Sequence, residues 1–180
     1  MLKWFIRKRL TAFEREYGYD MSYVRELLAI DTAAFFAFAK VQSMSRYRKD
    51  VPAHVAFAVG ITGTIAEDCG PCTQLGVTMA LEQGISARTI ATILGGDVAM
   101  MSDELALGVK FARAVLAHDV AADELRDDIV RRWGPRALVS LSFALTLSRF
   151  WPTLKYALGH GKACARIMVE GEPIVVRGAA

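Results

Sequence analysis

Only five prolines interrupt the 180-residue chain, Pro52, Pro71, Pro135, Pro152 and Pro173, and the stretches between them are rich in Ala, Leu, Met, Glu and Arg. Proline removes a backbone donor and clashes with the preceding turn, so long proline-free intervals of strong helix formers favour helix over any other regular structure. After Asp20, apolar residues recur at helical spacing (Val24, Leu27, Leu28, Phe35, Phe38, Val41), which reads as one long helix. Asp50 and Pro52 read as a cap and first turn for His54 to Ala66, a segment apolar on almost every side and therefore buried. A helix from Cys72 to Glu82 ends at Gly84, and Ser86 caps a short one stopped by Gly95-Gly96. Further helices open at Ser102 or Asp103 and at Ala122 or Asp123. Gly134 ends the second of these, and Pro135 opens the last long helix, Leu138 through Leu158, with a kink at Pro152. Only Pro173 to Arg177 hints at strand, as a tail. The expectation is a single all-α domain over 1–180 with seven to eight helices: an N-terminal helical extension (1–50), a core (51–160) and a C-terminal tail (161–180).

Composition narrows the function classes. Hydrophobic residues make up 53% and charged ones 23%, which excludes a disordered chain. Lys and Arg number 22 against 19 acids, too even a balance for a nucleic-acid binder. The basic start, Lys3-Trp-Phe-Ile-Arg-Lys-Arg9, does not lead into a signal peptide, and neither Leu27–Ala39 nor Leu138–Leu147 reaches the ~20 apolar residues of a bilayer span. The cytoplasm is the expected compartment. The first helix is expected to pack Leu2, Phe5, Ile6, Leu10 and Phe13 on the body, with weak contact to an anionic membrane surface as the alternative.

Glu67-Asp-Cys-Gly-Pro-Cys72 is the one dense constellation. Two thiols three positions apart close a small ring with little chain movement, so the pair can cycle between dithiol and disulfide. At a helix start, free N–H groups and the positive helix end stabilise a thiolate. Glu67 and Asp68 oppose this as neighbouring negative charge, yet either can accept the thiol proton. The remaining ligand supply (His54, His118, His160 and Cys164) is scattered, against the four gathered ligands of a structural zinc site, and no metal or cofactor is expected. The same tetrapeptide occurs in thioredoxins, but that fold needs a strand before it, and the chain before Cys69 reads as helix.

These segments together resemble the alkylhydroperoxidase D-like, carboxymuconolactone decarboxylase family. The resemblance covers roughly Val51 to Gly159. It rests on the apolar helix leading into Cys69 and Cys72, on Met79-Ala-Leu-Glu-Gln-Gly-Ile-Ser86, on Ser102-Asp-Glu-Leu-Ala-Leu-Gly-Val-Lys-Phe-Ala112, and on Ala137 to Trp151 running into Leu154-Lys-Tyr-Ala-Leu-Gly159. It implies an all-helical fold assembling as trimers or hexamers. It also implies reduction of alkyl hydroperoxides, with the disulfide re-reduced by a protein or small-thiol partner. On the same resemblance Cys72 is the attacking thiol and Cys69 the resolving one. The family's pattern places a histidine after three further residues, four positions beyond the second cysteine, and an acid on the preceding helix. Here the histidine position is Gly76, and no acid lies between Pro52 and Ala66.

Glu67, Asp68 and His54 are the substitutes for that missing proton relay, with His54 also readable as a hydrogen-bonded core histidine. Arg149 reads equally as a site contact or as part of an ordinary kinked helix before Pro152, Trp151 as the latter, His118 and His160 as structural helix-end residues, and Cys164 as a bystander. The alternatives to peroxide reduction are a redox-sensing or disulfide-exchange oligomer, a lactone decarboxylase, and a binding protein with inert cysteines.

Overall fold

The structure is a computed structural model that describes residues 1–161, 167–174 and 176. It is mostly helical. Among the described residues nine α-helices follow one another: α1 Leu2–Tyr17, α2 Ser22–Ile30, α3 Thr32–Val41, α4 Ala53–Ala66, α5 Gly70–Glu82, α6 Ala87–Gly95, α7 Asp103–Ala117, α8 Ala122–Trp133 and α9 Pro135–Ala157. A 3-10 turn, Gln42–Arg46, continues α3.

The long helix expected after Asp20 is two helices. Asp31 takes an extended conformation (φ −149°, ψ 123°) and its carboxylate accepts the Ala33 N–H at 2.8 Å, starting α3 on a new axis. An N-cap aspartate inside an apolar run ends one helix by capping the next, which apolar periodicity cannot register. The downstream punctuation follows the sequence closely. Ser86 Oγ accepts the Thr89 N–H at 3.1 Å, and Gly96 closes α6 in the left-handed region. Helix α9 runs on through Pro152.

Helix α4 is the hub. It packs against α9, α7, α5 and α6, and nine of its fourteen residues are buried. Two glycines set the close approaches. A Cβ on Gly63 would lie 1.8 Å from Ser148 Oγ of α9, and one on Gly108 of α7 would lie 2.6 Å from Val55 Cγ1. Small residues at such crossings let helices approach closely enough for continuous dispersion contact.

The tail departs from expectation. Strands β1 (Ile167–Val169) and β2 (Glu172–Ile174) form an antiparallel hairpin in which Ile167 faces Ile174 and Val169 faces Glu172. Its turn residues, Glu170 (φ 49°) and Gly171 (φ 87°), both have the positive φ that two-residue hairpins demand. Ile167 and Val169 are buried with Phe57, Ile61 and Val77, and Gln74 holds the Met168 backbone in both directions, at 2.6 and 3.0 Å. The hairpin is thus core material. Three residues per strand is too short for alternation to stand out in sequence.

The N-terminus also differs. Ile6, Leu10 and Phe13 pack inward, but Leu2, Trp4 and Phe5 are exposed. Helix α9 is long and apolar enough to cross a membrane by length and composition, more than Leu138–Leu147 alone suggested; in this fold Ala137, Leu141, Leu145 and Leu147 are buried among the other helices.

Candidate dithiol site

Helix α4 ends in a Schellman-type turn: Asp68 takes a left-handed conformation (φ 49°), and the Cys69 N–H donates to the Thr64 carbonyl at 3.2 Å. The chain re-enters a helix at once. Cys69 is the residue before α5, Pro71 sits in its first turn, and Cys72 follows one position later. Proline costs nothing there, because first-turn N–H groups have no helical partner. The Cα atoms of Cys69 and Cys72 are 5.3 Å apart, and the two sulfurs are joined as a disulfide. The turn is pinned from beneath: the buried Thr73 hydroxyl lies 3.0 Å from Thr64 Oγ1 and 3.1 Å from the Cys69 carbonyl.

Both cysteines are nearly buried, Cys69 at 7% and Cys72 at 6% exposure. Only Cys72 lines a cavity, a space of about 240 Å³ enclosed by α4, α5 and α9 on one side and by α1–α3 with the following loop on the other. Its walls are mainly apolar, including Phe38, Leu75, Met79, Leu147 and Trp151.

The expected relay residues do not gather on this cavity. His54 lies at the far end of α4, twelve residues from Ala66, roughly 18 Å at the rise of an α-helix. Its Nε2 faces Glu104 Oε2 at 3.5 Å. That pairing, not the dithiol, accounts for His54. Glu67 Oε1 accepts from Arg149 Nε at 2.6 Å, so this carboxylate is tied to α9 and Arg149 gains a clear task in bracing the turn. Asp68 points to solvent as an exposed residue. Gly76 does line the cavity one turn beyond Cys72, and an added Cβ there would stand 3.3 Å from Ile61 Cγ1. Trp151, expected as ordinary packing, is cavity wall, with its ring 5.1 Å from that of Phe38. His118 is the left-handed C-cap of α7. His160 bridges α2, with Nδ1 2.9 Å from Ser22 Oγ and Nε2 2.5 Å from Glu26 Oε2. Cys164 lies outside the described residues.

What does touch the dithiol is Tyr19, from the link between α1 and α2. Its hydroxyl is 3.5 Å from Cys72 Sγ, a hydrogen-bonding distance for sulfur. Burial pushes the Tyr19 phenol up to about 12, and burial likewise raises Tyr23. At neutral pH Tyr19 is therefore a donor and not a base. Above it sits Lys155, only 4% exposed, its ammonium 4.7 Å from the Tyr19 ring centre and 5.8 Å from that of Tyr23. No carboxylate among the described residues forms an ion pair with it, and the two aromatic faces lie at cation–π distance. Burial lowers the Lys155 pKa, with Asp20 partly offsetting the shift. Sequence reasoning passed over both residues. The available signals were a lone lysine in an apolar helix and three tyrosines within seven residues, Tyr17, Tyr19 and Tyr23.

Among the described residues no group of three or more His, Cys, Asp or Glu side chains is placed to hold a metal ion. No family model, no curated protein and no solved structure matches this chain.

Proposed function

We propose that this protein is a thiol-dependent oxidoreductase that reduces organic hydroperoxides at Cys72, on a fold of the alkylhydroperoxidase D-like kind. The observation that carries the reading is the pairing of a closed Cys69–Cys72 disulfide with a cavity that reaches only Cys72. A nucleophile with ligand access, beside a partner thiol without it, is the division of labour that attack and resolution require.

The Cys72 thiolate attacks the terminal peroxide oxygen. The O–O bond breaks, the thiol's proton ends on the departing alkoxide, and an alcohol leaves. Cys72 is then a sulfenic acid. The Cys69 thiol attacks that sulfur, water departs and the disulfide forms, and a small-thiol reductant returns two electrons. The Tyr19 hydroxyl donates to the thiolate and steadies it, as does the start of α5. It replaces the absent histidine in stabilising charge, not in carrying the proton.

The low exposure of both sulfurs favours this over disulfide exchange with a protein partner, which needs direct contact between sulfurs. The test is a free-thiol count on the reduced protein before and after one equivalent of cumene hydroperoxide. Two thiols should disappear per peroxide, and Cys69→Ser should stop at a sulfenic acid trapped by dimedone. Unchanged thiols, or a Cys72→Ser variant that still consumes peroxide, ends the reading. A cytoplasmic trimer or hexamer goes with it: exposed Phe36, Ile30 and Val139 leave apolar surface for self-association. Light scattering that returns 19.7 kDa at all concentrations ends that part.

A further inference from the structure

The cavity that ends on Cys72 has a charged group at its other end. Arg48 lies in the loop between the 3-10 turn and α4, and its guanidinium sits 4.6 Å from the centre of the Phe57 ring. Its Nε donates to the Ser45 carbonyl at 3.3 Å, which uses one of five donors. None of the ion pairs among the described residues includes it. Burial lowers its pKa, and no opposing carboxylate offsets that shift. Arg48 and Gln42 are both exposed and both line the cavity, so they mark its rim. From Phe57, under Arg48, to Thr64, beside the dithiol, α4 advances seven residues, roughly 10 Å. Between these ends the lining is mainly apolar, with the Ser140 and Ser148 hydroxyls donating to backbone carbonyls, and it includes Gly60, where an added Cβ would meet nothing within 4 Å.

We infer that this cavity binds an apolar molecule of medium chain length carrying one carboxylate, with the carboxylate on Arg48 at the rim and the apolar body lying along α4 toward Cys72. A planar guanidinium with free donors pairs bidentately with a carboxylate, and a rim position keeps the anion partly solvated, avoiding the cost of a fully buried charge. The aliphatic and aromatic walls take up the chain by burying its surface. A neutral ligand would gain only the second of these contributions. As a substrate class this rests on the peroxidase reading, and it then specifies hydroperoxides of carboxylic acids, with the hydroperoxide group placed toward the far end of the chain.

The binding claim is tested with a ligand that cannot react. Decanoate, added below its micellar concentration to the oxidised protein, should bind by titration calorimetry and change the fluorescence of Trp151 in the cavity wall. Decanol should bind at least about tenfold more weakly, as loss of a charge-assisted pair implies. Arg48→Met should bring decanoate down to the decanol affinity. Gly60→Leu, which fills the cavity from a helical position that prefers leucine to glycine, should abolish binding of both. Equal affinities for decanoate and decanol in the native protein overturn the inference, without need of a variant to fold. Decanoate binding that survives Gly60→Leu places the ligand elsewhere and overturns it too. If decanoate binds as described but the reduced protein consumes no peroxide, the peroxidase reading fails and the carboxylate site stands.

Discussion

Helix α4 buries nine of its fourteen residues, whereas α3, which meets the same cavity through Phe38, buries none. The two lie on opposite walls of one cavity and are built on different terms. The α4 wall is mainly small and apolar, with Ala56, Phe57, Gly60 and Ile61; it is packed closely through glycines against α7 and α9, and continues directly into the dithiol turn. The wall from α1 to the loop before α4 is aromatic and graded in exposure: Tyr19 and Tyr23 are buried beside the dithiol, whereas Gln42 and Arg48 at the rim are exposed. The comparison teaches a separation of duties. Packing density fixes the sulfurs where a displacement of an ångström would matter, and recognition groups are carried on the layer that loses least by shifting.

The largest expected consequence is in local stability. Backbone amides of α4 should exchange with solvent only through global unfolding, while those of α3 open locally, giving protection factors that differ by roughly a thousandfold or more. Hydrogen exchange resolved by peptide would measure it. Equal protection in both helices would mean the outer layer is as firmly held as the core, and the contrast would collapse.

A second expectation concerns chemistry supplied by the outer wall. Tyr19→Phe removes the hydroxyl 3.5 Å from Cys72 Sγ and nothing else. Hydrogen bonds to charged groups contribute about 1.5–3 kcal/mol, so the alkylation profile of Cys72 should move to higher pH and, under the proposed peroxidase function, the peroxide reaction should slow by roughly 10- to 100-fold. An unchanged profile would leave thiolate stabilisation entirely to the start of α5.

Third in size is a packing prediction. Gly63→Ala sets a methyl against Ser148 Oγ and should cost about 1–3 kcal/mol of unfolding free energy, as overpacked cores do. Phe36→Ala on the outer layer removes a larger but exposed side chain and should stay within about 0.5 kcal/mol. Denaturant midpoints of the two variants give the ratio directly. A larger loss from Phe36→Ala would show that α3 is covered in solution, as an oligomer interface would require.

The smallest effect is in pH dependence. Tyr19 is raised from 10.0 to about 12 in the folded state by burial. Its contribution to stability is therefore complete below pH 10 and is lost as the pH climbs toward 12, because the unfolded chain releases that proton first. Tyr19→Phe should flatten part of this alkaline decline, seen in urea midpoints between pH 9 and pH 12 as approximate bounds. Tyr23, shifted the same way, keeps the remainder.

Much of the helical scaffold was legible from residue order, because its signals are local. Pro52, Ser86, Gly84, Gly96, Ser102, Gly134 and Pro135 act within one turn of where they stand, and each helix end from α4 to α8 falls within a residue or two of its punctuation. Cys69 and Cys72 were legible for the same reason, since three residues of separation and a helix start bring two sulfurs together whatever surrounds them. The break at Asp31 and the hairpin of Ile167 to Ile174 were not. One is a cap hidden in an apolar run, and the other is too short to show a period.

The sequence by itself determined which backbone would be helical, where most of those helices stop, and that one pair of thiols could close on itself. The tertiary structure decided what that pair would meet. The relay candidates all lie within fifteen residues of Cys69 in the sequence, but His54 is carried a helix length away and Glu67 is held by Arg149. Tyr19 and Lys155 are 53 and 83 residues from Cys72 in the chain, and packing of the α1–α2 link and α9 over the start of α5 brings Tyr19 to the sulfur and Lys155 over its ring. Local signals travel about one helical turn along the chain. The surroundings of a buried sulfur are set instead by which distant surfaces exclude water together, and that is a property of the whole fold.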